Sequence, residues 1–243
     1  MTRTRLVIGA SAFAVVGLFF GIWLVFWAPL YLLMSHSPRN TDALFQDEIA
    51  VVAHRGLSGK APENTLAAFK AARDQRAWIE LDVTLCKTGE VIVIHDDSVD
   101  RTTDGTGAVA DLTIQELRRL DAGAWFDPQF RGQKLPTLPE VLAVIGPDTL
   151  IDIELKTDDD KRSLPAAVGR AIERAQRQDS VFVSSFDPFM LEQLRLANPE
   201  ILRAQLVGSY QDSDLAWYEK RALSNLVFTS RVQPDLLIWQ HTV

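Results

Sequence analysis

Residues 78–97 read WIELDVTLCKTGEVIVIHDD and join two apolar strand patterns to isolated polar side chains. Glu80 and Asp82 are two positions apart on the first predicted strand, so their side chains point to the same face. His95 directly follows the second apolar run, 91–94. A carboxylate within an apolar strand is costly unless it is paired or bound to a metal. The stretch therefore predicts a buried strand that carries part of a functional site.

The chain around this stretch alternates between short apolar runs and helical patterns. Further strands are predicted over 49–53, 150–155, 181–184, 203–207 and 236–239, and helices over 65–76, 113–120, 139–145, 164–178, 188–196 and 213–222. This alternation predicts an α/β protein with a parallel sheet. About seven strands without a Gly-rich phosphate loop favour a TIM-type (β/α) barrel. Between Asp82 and Val91 there is no helix, so a parallel crossover would have to descend there in extended form.

The composition is that of a globular protein, and it excludes several functions. The 243 residues are 47% hydrophobic and carry a formal net charge of −7. These values exclude a disordered or collagen-like chain, and the length corresponds to one or two domains. The single cysteine, Cys86, excludes an internal disulfide framework and a Cys-rich zinc site. Because an acidic body binds phosphate backbones poorly, we expect no nucleic-acid partner.

The N-terminal region contains a long run without charge, residues 6–34, LVIGASAFAVVGLFFGIWLVFWAPLYLLM. A helix needs about 20 apolar residues to cross the hydrocarbon core of a bilayer, so the run predicts one transmembrane helix that anchors the chain. A cleaved signal peptide would have an apolar core of about 7–15 residues and a small-residue cleavage site. A buried core helix is the third alternative. The length of the run favours a retained anchor.

The residues that flank this run suggest an orientation and a domain plan. Arg3 and Arg5 precede it and only Arg39 follows closely, so the positive-inside rule places the N-terminus in the cytoplasm. The protein would then be single-pass, with its catalytic domain extracytoplasmic, in the periplasm or outside the cell. We expect an anchor over 1–34, a polar linker over 35–48 and one catalytic domain over 49–243.

Polar residues collect at the predicted carboxyl ends of the strands, where a parallel barrel has its catalytic face. Three acids there would repel one another unless a cation lay among them, and oxygen ligands favour Mg²⁺ or Ca²⁺ over zinc. Two histidines could supply an acid and a base, and two cationic side chains could bind an anion. Each residue also has a structural alternative, such as an ion pair or a helix cap. Together they suit phosphodiester hydrolysis: Glu80, Asp82 and Glu154; His54 and His95; Arg55 and Lys156.

These residues lie in motifs that resemble the glycerophosphodiester phosphodiesterase family. The motifs are VVAHRG (51–56), PENT (62–65), IELDV (79–83), VIVIHDD (91–97), DRTTDGTG (100–107), LPTLPEVL (135–142), IDIELK (151–156) and VSSFDP (183–188). The resemblance implies a TIM barrel with an insertion over about 98–136. It also implies hydrolysis of glycerophosphodiesters to an alcohol and glycerol 3-phosphate.

The resemblance assigns a role to each residue of the set. Glu80, Asp82 and Glu154 would hold a divalent cation, Mg²⁺ or Ca²⁺. His54 and His95 would be the general acid and base, in an order that the motifs leave open, and Arg55 and Lys156 would bind the substrate phosphate. Glu63 would support the site. The attacking group is left open between water and the glycerol 2-hydroxyl.

The chain departs from the family pattern at its C-terminus. The run 236–239 is interpreted as the seventh strand, which predicts a barrel that lacks its last βα unit. Two alternatives to a glycerophosphodiesterase therefore stay open. One is a lysophospholipase D that acts on membrane lysophospholipids, with an apolar rim of Trp125, Phe126 and Phe130 at its mouth. The other is a truncated, inactive homologue.

Overall fold

The computed structural model describes residues 38–41, 50–156, 163–208 and 229–239, together with Ala216 and Lys220. The strands are β1 Val52–Ala53, β2 Trp78–Leu85, β3 Val91–Val93, β4 Ile151–Leu155, β5 Val181–Ser185, β6 Leu202–Val207 and β7 Leu236–Trp239. The helices are α1 Leu66–Asp74, α2 Ile114–Leu117, α3 Leu138–Val144, α4 Leu164–Ala175, α5 Pro188–Ala197 and α6 Thr229–Val232. The helix predicted over 213–222 falls almost entirely outside the described residues.

Within these ranges, none of the helices has the length and apolar character needed to cross a bilayer. The predicted transmembrane run, 6–34, lies outside the described residues. So does most of the predicted linker, 35–48, of which residues 38–41 are described.

The sheet consists of six parallel strands in the order β1-β2-β4-β5-β6-β7, with β3 attached to β2. The alternation of strand and helix therefore predicted the parallel sheet correctly. β1 and β7 are the edges of the described sheet, which has the form of a parallel half-barrel. Barrel closure is not seen among the described residues.

β3 corrects the sequence prediction of a further parallel strand after Asp82. It runs antiparallel to β2, with Val83 opposite Val93 and Leu85 opposite Val91. Only residues 86–90 join the two strands, which is too short for a parallel crossover of a dozen or more residues. Gly89 has a φ of +88°, a left-handed conformation that a tight turn requires and that glycine adopts without strain. The short connection therefore makes a hairpin, and β4 becomes the parallel neighbour of β2.

β1 is also shorter than predicted and is not fully buried. Val51 and Val52 are 69% and 47% exposed, whereas Ala53 is buried. At the opposite edge, Leu237 and Trp239 of β7 are exposed as well. Both edges of the described sheet therefore expose apolar side chains.

Apolar residues cover both faces of the sheet, in accordance with the period-2 alternation of each strand. Outward-facing residues of β2 and β4, among them Ile79, Leu81 and Ile153, pack under α1, α3, α4 and α5 in the largest core cluster. Inward-facing residues from the lower part of the sheet make a smaller cluster: Leu150, Phe182, Ala204, Trp78, Leu202, Leu236 and Ile238. Acidic residues continue this inner face toward the carboxyl ends of the strands.

The insertion after β3, predicted over about 98–136, has a core of its own. Ile92 and Ile94 pack there with Val99, Val109 and Leu117. Helix α2 within it begins with a capping box, in which Thr113 and Glu116 exchange hydrogen bonds. The insertion is therefore an ordered extension of the β2–β3 hairpin.

We predict that Gly169→Ala destabilises the protein, although alanine normally stabilises a helix by about 1 kcal/mol over glycine. A Cβ at Gly169 in α4 would overlap the amide of Asn198, which ends α5 and donates to Glu173. The overlap should cost about 1–3 kcal/mol and lower the melting temperature by several degrees. The matched control is Gly146→Ala, whose Cβ would meet no atom within 4 Å. Equal melting temperatures for the two variants would contradict this packing argument.

Candidate active site

Two neighbouring strands place four carboxylates on the inner face of the sheet. In the register of β2 and β4, Glu80 lies opposite Asp152 and Asp82 lies opposite Glu154. The two acids of each strand are two positions apart and share a face. Carboxylate oxygens of Glu80, Asp82 and Glu154 lie within 4.8 Å of one another. The three predicted metal ligands are therefore brought together.

The Lys156 ammonium group lies against two of these acids. Its Nζ is 2.8 Å from Asp82 Oδ1 and 2.7 Å from Glu154 Oε1. Burial alone would lower the pKa of Lys156, but the charges of Asp82 and Glu154 raise it, so the amine stays charged. The residue predicted to bind phosphate therefore also neutralises part of the carboxylate cluster.

Burial raises the pKa of Glu80 to about 9, and the neighbouring Asp82 adds to that shift. Burial also raises the pKa of Glu154. One oxygen of Glu80, Oε2, accepts a hydrogen bond of 2.7 Å from the backbone N–H of Arg55. Within the described part of the chain, its other oxygen has no hydrogen-bond partner. A buried carboxylate with an unused oxygen is poised to bind a cation.

Asp152 is a member of this cluster that the sequence reasoning missed. It is buried opposite Glu80 on the neighbouring strand, and burial raises its pKa to about 8 despite an opposing effect of Ser184. The signal was present, because Asp152 precedes Glu154 by two residues and so shares its face.

The turn after β1 presents His54 and Arg55 to the same cluster. His54 Nε2 lies 3.9 Å from Glu80 Oε2, and Arg55 Nε lies 3.5 Å from Asp82 Oδ2. Arg55 has a φ of 57°, a strained left-handed conformation for a side chain of this size. Burial and the charge of Arg55 lower the pKa of His54, which keeps its imidazole neutral at pH 7.

Asn64 holds this strained turn against β2. Its backbone N–H donates to the carbonyl of Arg55, and its Nδ2 donates to Asp82 Oδ2 at 2.9 Å. Asn64 has a φ of 54°, and the cap of α1 is the next residue, Thr65. Asn64 therefore supports the site, while Thr65 caps the helix.

A network of ion pairs links the two histidine-bearing segments. Glu63 accepts a hydrogen bond of 2.9 Å from Arg55 Nη1. It accepts two further hydrogen bonds from Arg101. Arg101 also donates to both oxygens of Asp96, at 2.6 and 2.9 Å. Asp96 Oδ1 lies 2.7 Å from His95 Nδ1. The path from Arg55 to His95 therefore consists of direct hydrogen bonds.

The guanidinium of Arg101 keeps both acids of this network ionised. Its hydrogen bonds hold the pKa of Asp96 well below its usual range. Burial opposes ionisation of Glu63, but hydrogen bonds from Arg101 and Arg55 lower the pKa of that carboxyl. Arg101 and Asp96 were not among the predicted site residues, although both lie within motifs that resemble the family, 100–107 and 91–97.

All eight predicted site residues therefore lie on one side of the sheet, within β2 and β4 or in the segments that follow β1, β3 and β4. A cavity of about 580 Å³ borders His54, Glu80 and Glu154 and continues between apolar side chains of β5, β6 and β7. Phe182, Leu206 and Leu236 are among these apolar lining residues. A ligand at the site would therefore meet both charged groups and apolar surface.

This fold and site define a protein of the (β/α)-barrel class with a charged active-site mouth. The sequence profile of the glycerophosphoryl diester phosphodiesterase family matches residues 54–240, and the chain belongs to that family.

Two curated relatives are each named glycerophosphodiester phosphodiesterase. The one from Caldanaerobacter subterraneus subsp. tengcongensis is 43% identical over 154 residues, which cover 62% of this chain and 63% of that protein. The one from Bacillus subtilis is 34% identical over 185 residues, with 70% and 63% covered. The chain thus spans just under two thirds of the length of these relatives.

Solved structures share the fold. A glycerophosphodiester phosphodiesterase from Agrobacterium tumefaciens has a TM-score of 0.60 and 29% identity, covering 78% of this chain and 95% of that one. A phosphodiesterase from Oleispira antarctica, in complex with the product sn-glycerol-3-phosphate, has a TM-score of 0.65 and 30% identity, covering 80% and 85%.

We predict that Glu80→Gln stabilises the ion-free protein at neutral pH. The pKa of Glu80 is about 9 in the folded state against 4.5 as its unperturbed value, so the folded state binds the extra proton. The contribution of Glu80 to stability therefore falls as the pH rises from about 4.5 toward 9. The variant should gain up to about 3 kcal/mol at pH 7 and nothing near pH 4.5.

Thermal unfolding in chelator at both pH values measures this difference. Lys60→Gln, an exposed change away from the cluster, serves as the control and should leave both melting temperatures unchanged. A Glu80→Gln variant that is less stable than the parent at pH 7 would contradict the assigned ionisation.

Proposed function

We propose that the protein hydrolyses glycerophosphodiesters to an alcohol and glycerol 3-phosphate. The main observation behind the proposal is that three carboxylates, two cationic side chains and two histidines lie close together on one side of the sheet. Membership of the family and the names of its relatives support the same reaction. In the net reaction, the P–O bond to the alcohol breaks and the oxygen of water joins phosphorus.

Glu80, Asp82 and Glu154 would hold the divalent cation, Mg²⁺ or Ca²⁺. Their oxygens are close enough to converge on one ion, and the free oxygen of buried Glu80 fits that role. An all-carboxylate set favours a hard cation. When bound, such a cation stabilises negative charge on phosphoryl oxygens.

Arg55 and Lys156 would bind the phosphate of the substrate. Both side chains are mostly buried and stay close to the carboxylates, so their charges act in a site from which much water is excluded. Electrostatic interactions are stronger in such surroundings than in water. The strained turn at Arg55 also aims its side chain at the cluster.

His54 and His95 would divide the proton transfers. The lowered pKa of His54 leaves a neutral imidazole, which suits a general base that takes a proton from the attacking hydroxyl. Asp96 lies 2.7 Å from Nδ1 of His95 and orients the ring, so Nε2 is the nitrogen that would pass a proton to the leaving alkoxide. The attacking group is water or the glycerol 2-hydroxyl.

Lysophospholipids contain the same glycerophosphodiester core, so a lysophospholipase D activity would use the same residues. The predicted apolar rim offers limited support, because Trp125 is 40% exposed while Phe126 and Phe130 are partly covered and stack edge to face. The intact set of site residues favours an active enzyme over an inactive homologue.

We also propose that residues 6–34 anchor the chain in a membrane as a single span. The N-terminus would lie in the cytoplasm and the catalytic domain in the periplasm or outside the cell, as the flanking arginines predict.

The function is tested with glycerophosphocholine and with glycerol 3-phosphate esterified to p-nitrophenol. We expect turnover of both substrates to stop in chelator and to return with Mg²⁺ or Ca²⁺. His95→Ala should lower kcat/KM for glycerophosphocholine at least 100-fold, but less than 10-fold for the nitrophenyl ester, whose leaving group needs no proton. His54→Ala should impair both alike.

The two histidine variants serve as matched controls for each other. An equal loss on both substrates in His95→Ala would exclude His95 as the acid. A folded, cation-loaded parent without turnover of either substrate would refute the proposed function and favour the inactive homologue.

We predict that Arg101→Ala lowers kcat about 10- to 100-fold and raises KM by a smaller factor. The variant would release Asp96 and Glu63 together, and so misorient His95 and Arg55, without removing any group that contacts the substrate. The exposed Arg131→Ala is the control and should retain full activity. Steady-state kinetics on samples with matched melting temperatures measure the effect, and an unchanged kcat would exclude the positioning role.

A further inference from the structure

Arg39 fastens the N-terminal part of the chain to the sheet. Its guanidinium and backbone N–H make three hydrogen bonds of 2.6 to 3.2 Å to the carboxylate of Asp235. The same side chain donates to the carbonyls of Glu200 and Ile201 at 2.5 and 2.7 Å. The Asp235 side chain is fully buried and also accepts from the backbone of Arg203. We call this group of contacts the Arg39 clamp.

The Arg39 clamp lies at the end of the sheet opposite the active-site mouth. Asp235 immediately precedes β7, and Glu200 and Ile201 immediately precede β6. Because all six strands of the main sheet are parallel, these positions mark its amino end. The site residues mark the carboxyl end. A strand of six residues such as β6 separates the two ends by about 20 Å.

The clamp lies close in sequence to the proposed membrane anchor. Four residues, 35–38, lie between Met34, the last residue of the apolar run, and Arg39, which makes five Cα–Cα steps. A fully extended chain of that length reaches at most about 18 Å. If the mouth faced the bilayer, the amino end of the sheet, where the tether is attached, would point away from it. The tether would then have to span the length of the strands and of the loops beyond them, including the β2–β3 hairpin. The tether is too short for that orientation.

We propose that the Arg39 clamp turns the active-site mouth away from the membrane that holds the anchor. The anchored protein then takes water-soluble glycerophosphodiesters and not lysophospholipids of the same bilayer. This inference rests on the proposed function and anchor, and it assigns the substrate class between the two candidates. The anchor therefore serves to retain the enzyme at the membrane without giving its site access to the lipid surface.

Orientation is measured first, without reference to activity. The full chain, with Cys86→Ser, is reconstituted in vesicles with an acceptor dye on the lipid headgroups. A donor dye is attached either at Lys87→Cys, on the turn beyond β2, or at Glu200→Cys, beside the clamp; both positions are exposed. We expect more efficient energy transfer from position 200 than from position 87.

Equal or reversed transfer efficiencies would overturn the proposal. So would release of the chain from the vesicles by alkaline carbonate, because that treatment leaves integral anchors in place. These outcomes do not depend on catalysis, so an inactive sample would refute the proposed function and still report the orientation.

Activity is then compared on three choline esters with the vesicle-bound chain. The substrates are glycerophosphocholine, water-soluble hexanoyl-lysophosphatidylcholine, and palmitoyl-lysophosphatidylcholine placed in the same bilayer. We expect choline release from the bilayer substrate to be at least 10-fold slower than from the other two. Comparable rates on the bilayer substrate and glycerophosphocholine would overturn the proposal.

Two variants test the clamp itself. Arg39→Ala removes the guanidinium contacts of the clamp. A 20-residue Gly-Ser insertion after Ser37 lengthens the tether by about 25 Å while keeping every clamp contact. Each should raise turnover of the bilayer substrate at least 10-fold relative to glycerophosphocholine. The matched control, Arg170→Ala on the exposed side of α4, should leave this ratio unchanged. An insertion variant with the parental ratio would overturn the proposal even if Arg39→Ala misfolds.

Discussion

The burial of several carboxylates on the inner face of β2 and β4 is the constraint on which the rest of the site depends. Charged groups in an apolar interior require partners, and like charges at close range disfavour one another. The chain meets this requirement with Lys156 and Arg55, whose cationic groups lie 2.8 and 3.5 Å from Asp82. Even so, the pKa of Glu80 stays near 9. The cluster is therefore not satisfied by its own side chains, and a divalent cation is the partner that its oxygens suit.

The need of the buried carboxylates for hydrogen-bond partners also accounts for the unusual backbone around the site. Arg55 and Asn64 both adopt left-handed conformations, which cost of order 1–3 kcal/mol each in residues with a side chain. Their strain is compensated because Arg55 N–H reaches Glu80 and Asn64 reaches Asp82. A second layer, Glu63 and Arg101, then holds the Arg55 side chain. The strained turn is thus part of the charge balance of the cluster.

Patterns along single strands predicted much of the fold and most of the site. The alternation of apolar and polar residues placed Glu80 and Asp82 on one face, and strand direction brought them to Glu154 and His54. The same alternation places Asp152 on this face, two positions before Glu154. The antiparallel β3 was missed because its length and apolarity are the same in either direction. Only the five-residue connection distinguishes the two, and it excludes a parallel crossover.

Contacts between distant segments could not be predicted in this way. Arg101 belongs to the insertion, 38 residues from Glu63, and Arg39 lies 196 residues from Asp235. In each case the sequence shows an ordinary charged residue in a polar stretch, and only the folded chain supplies its partner. The two arginines nevertheless act at opposite ends of the parallel sheet. Arg101 organises the carboxyl end, where the site lies, and Arg39 fastens the amino end. Because parallel strands give a sheet two chemically distinct ends, attachment at one leaves the other free to meet substrate from solution.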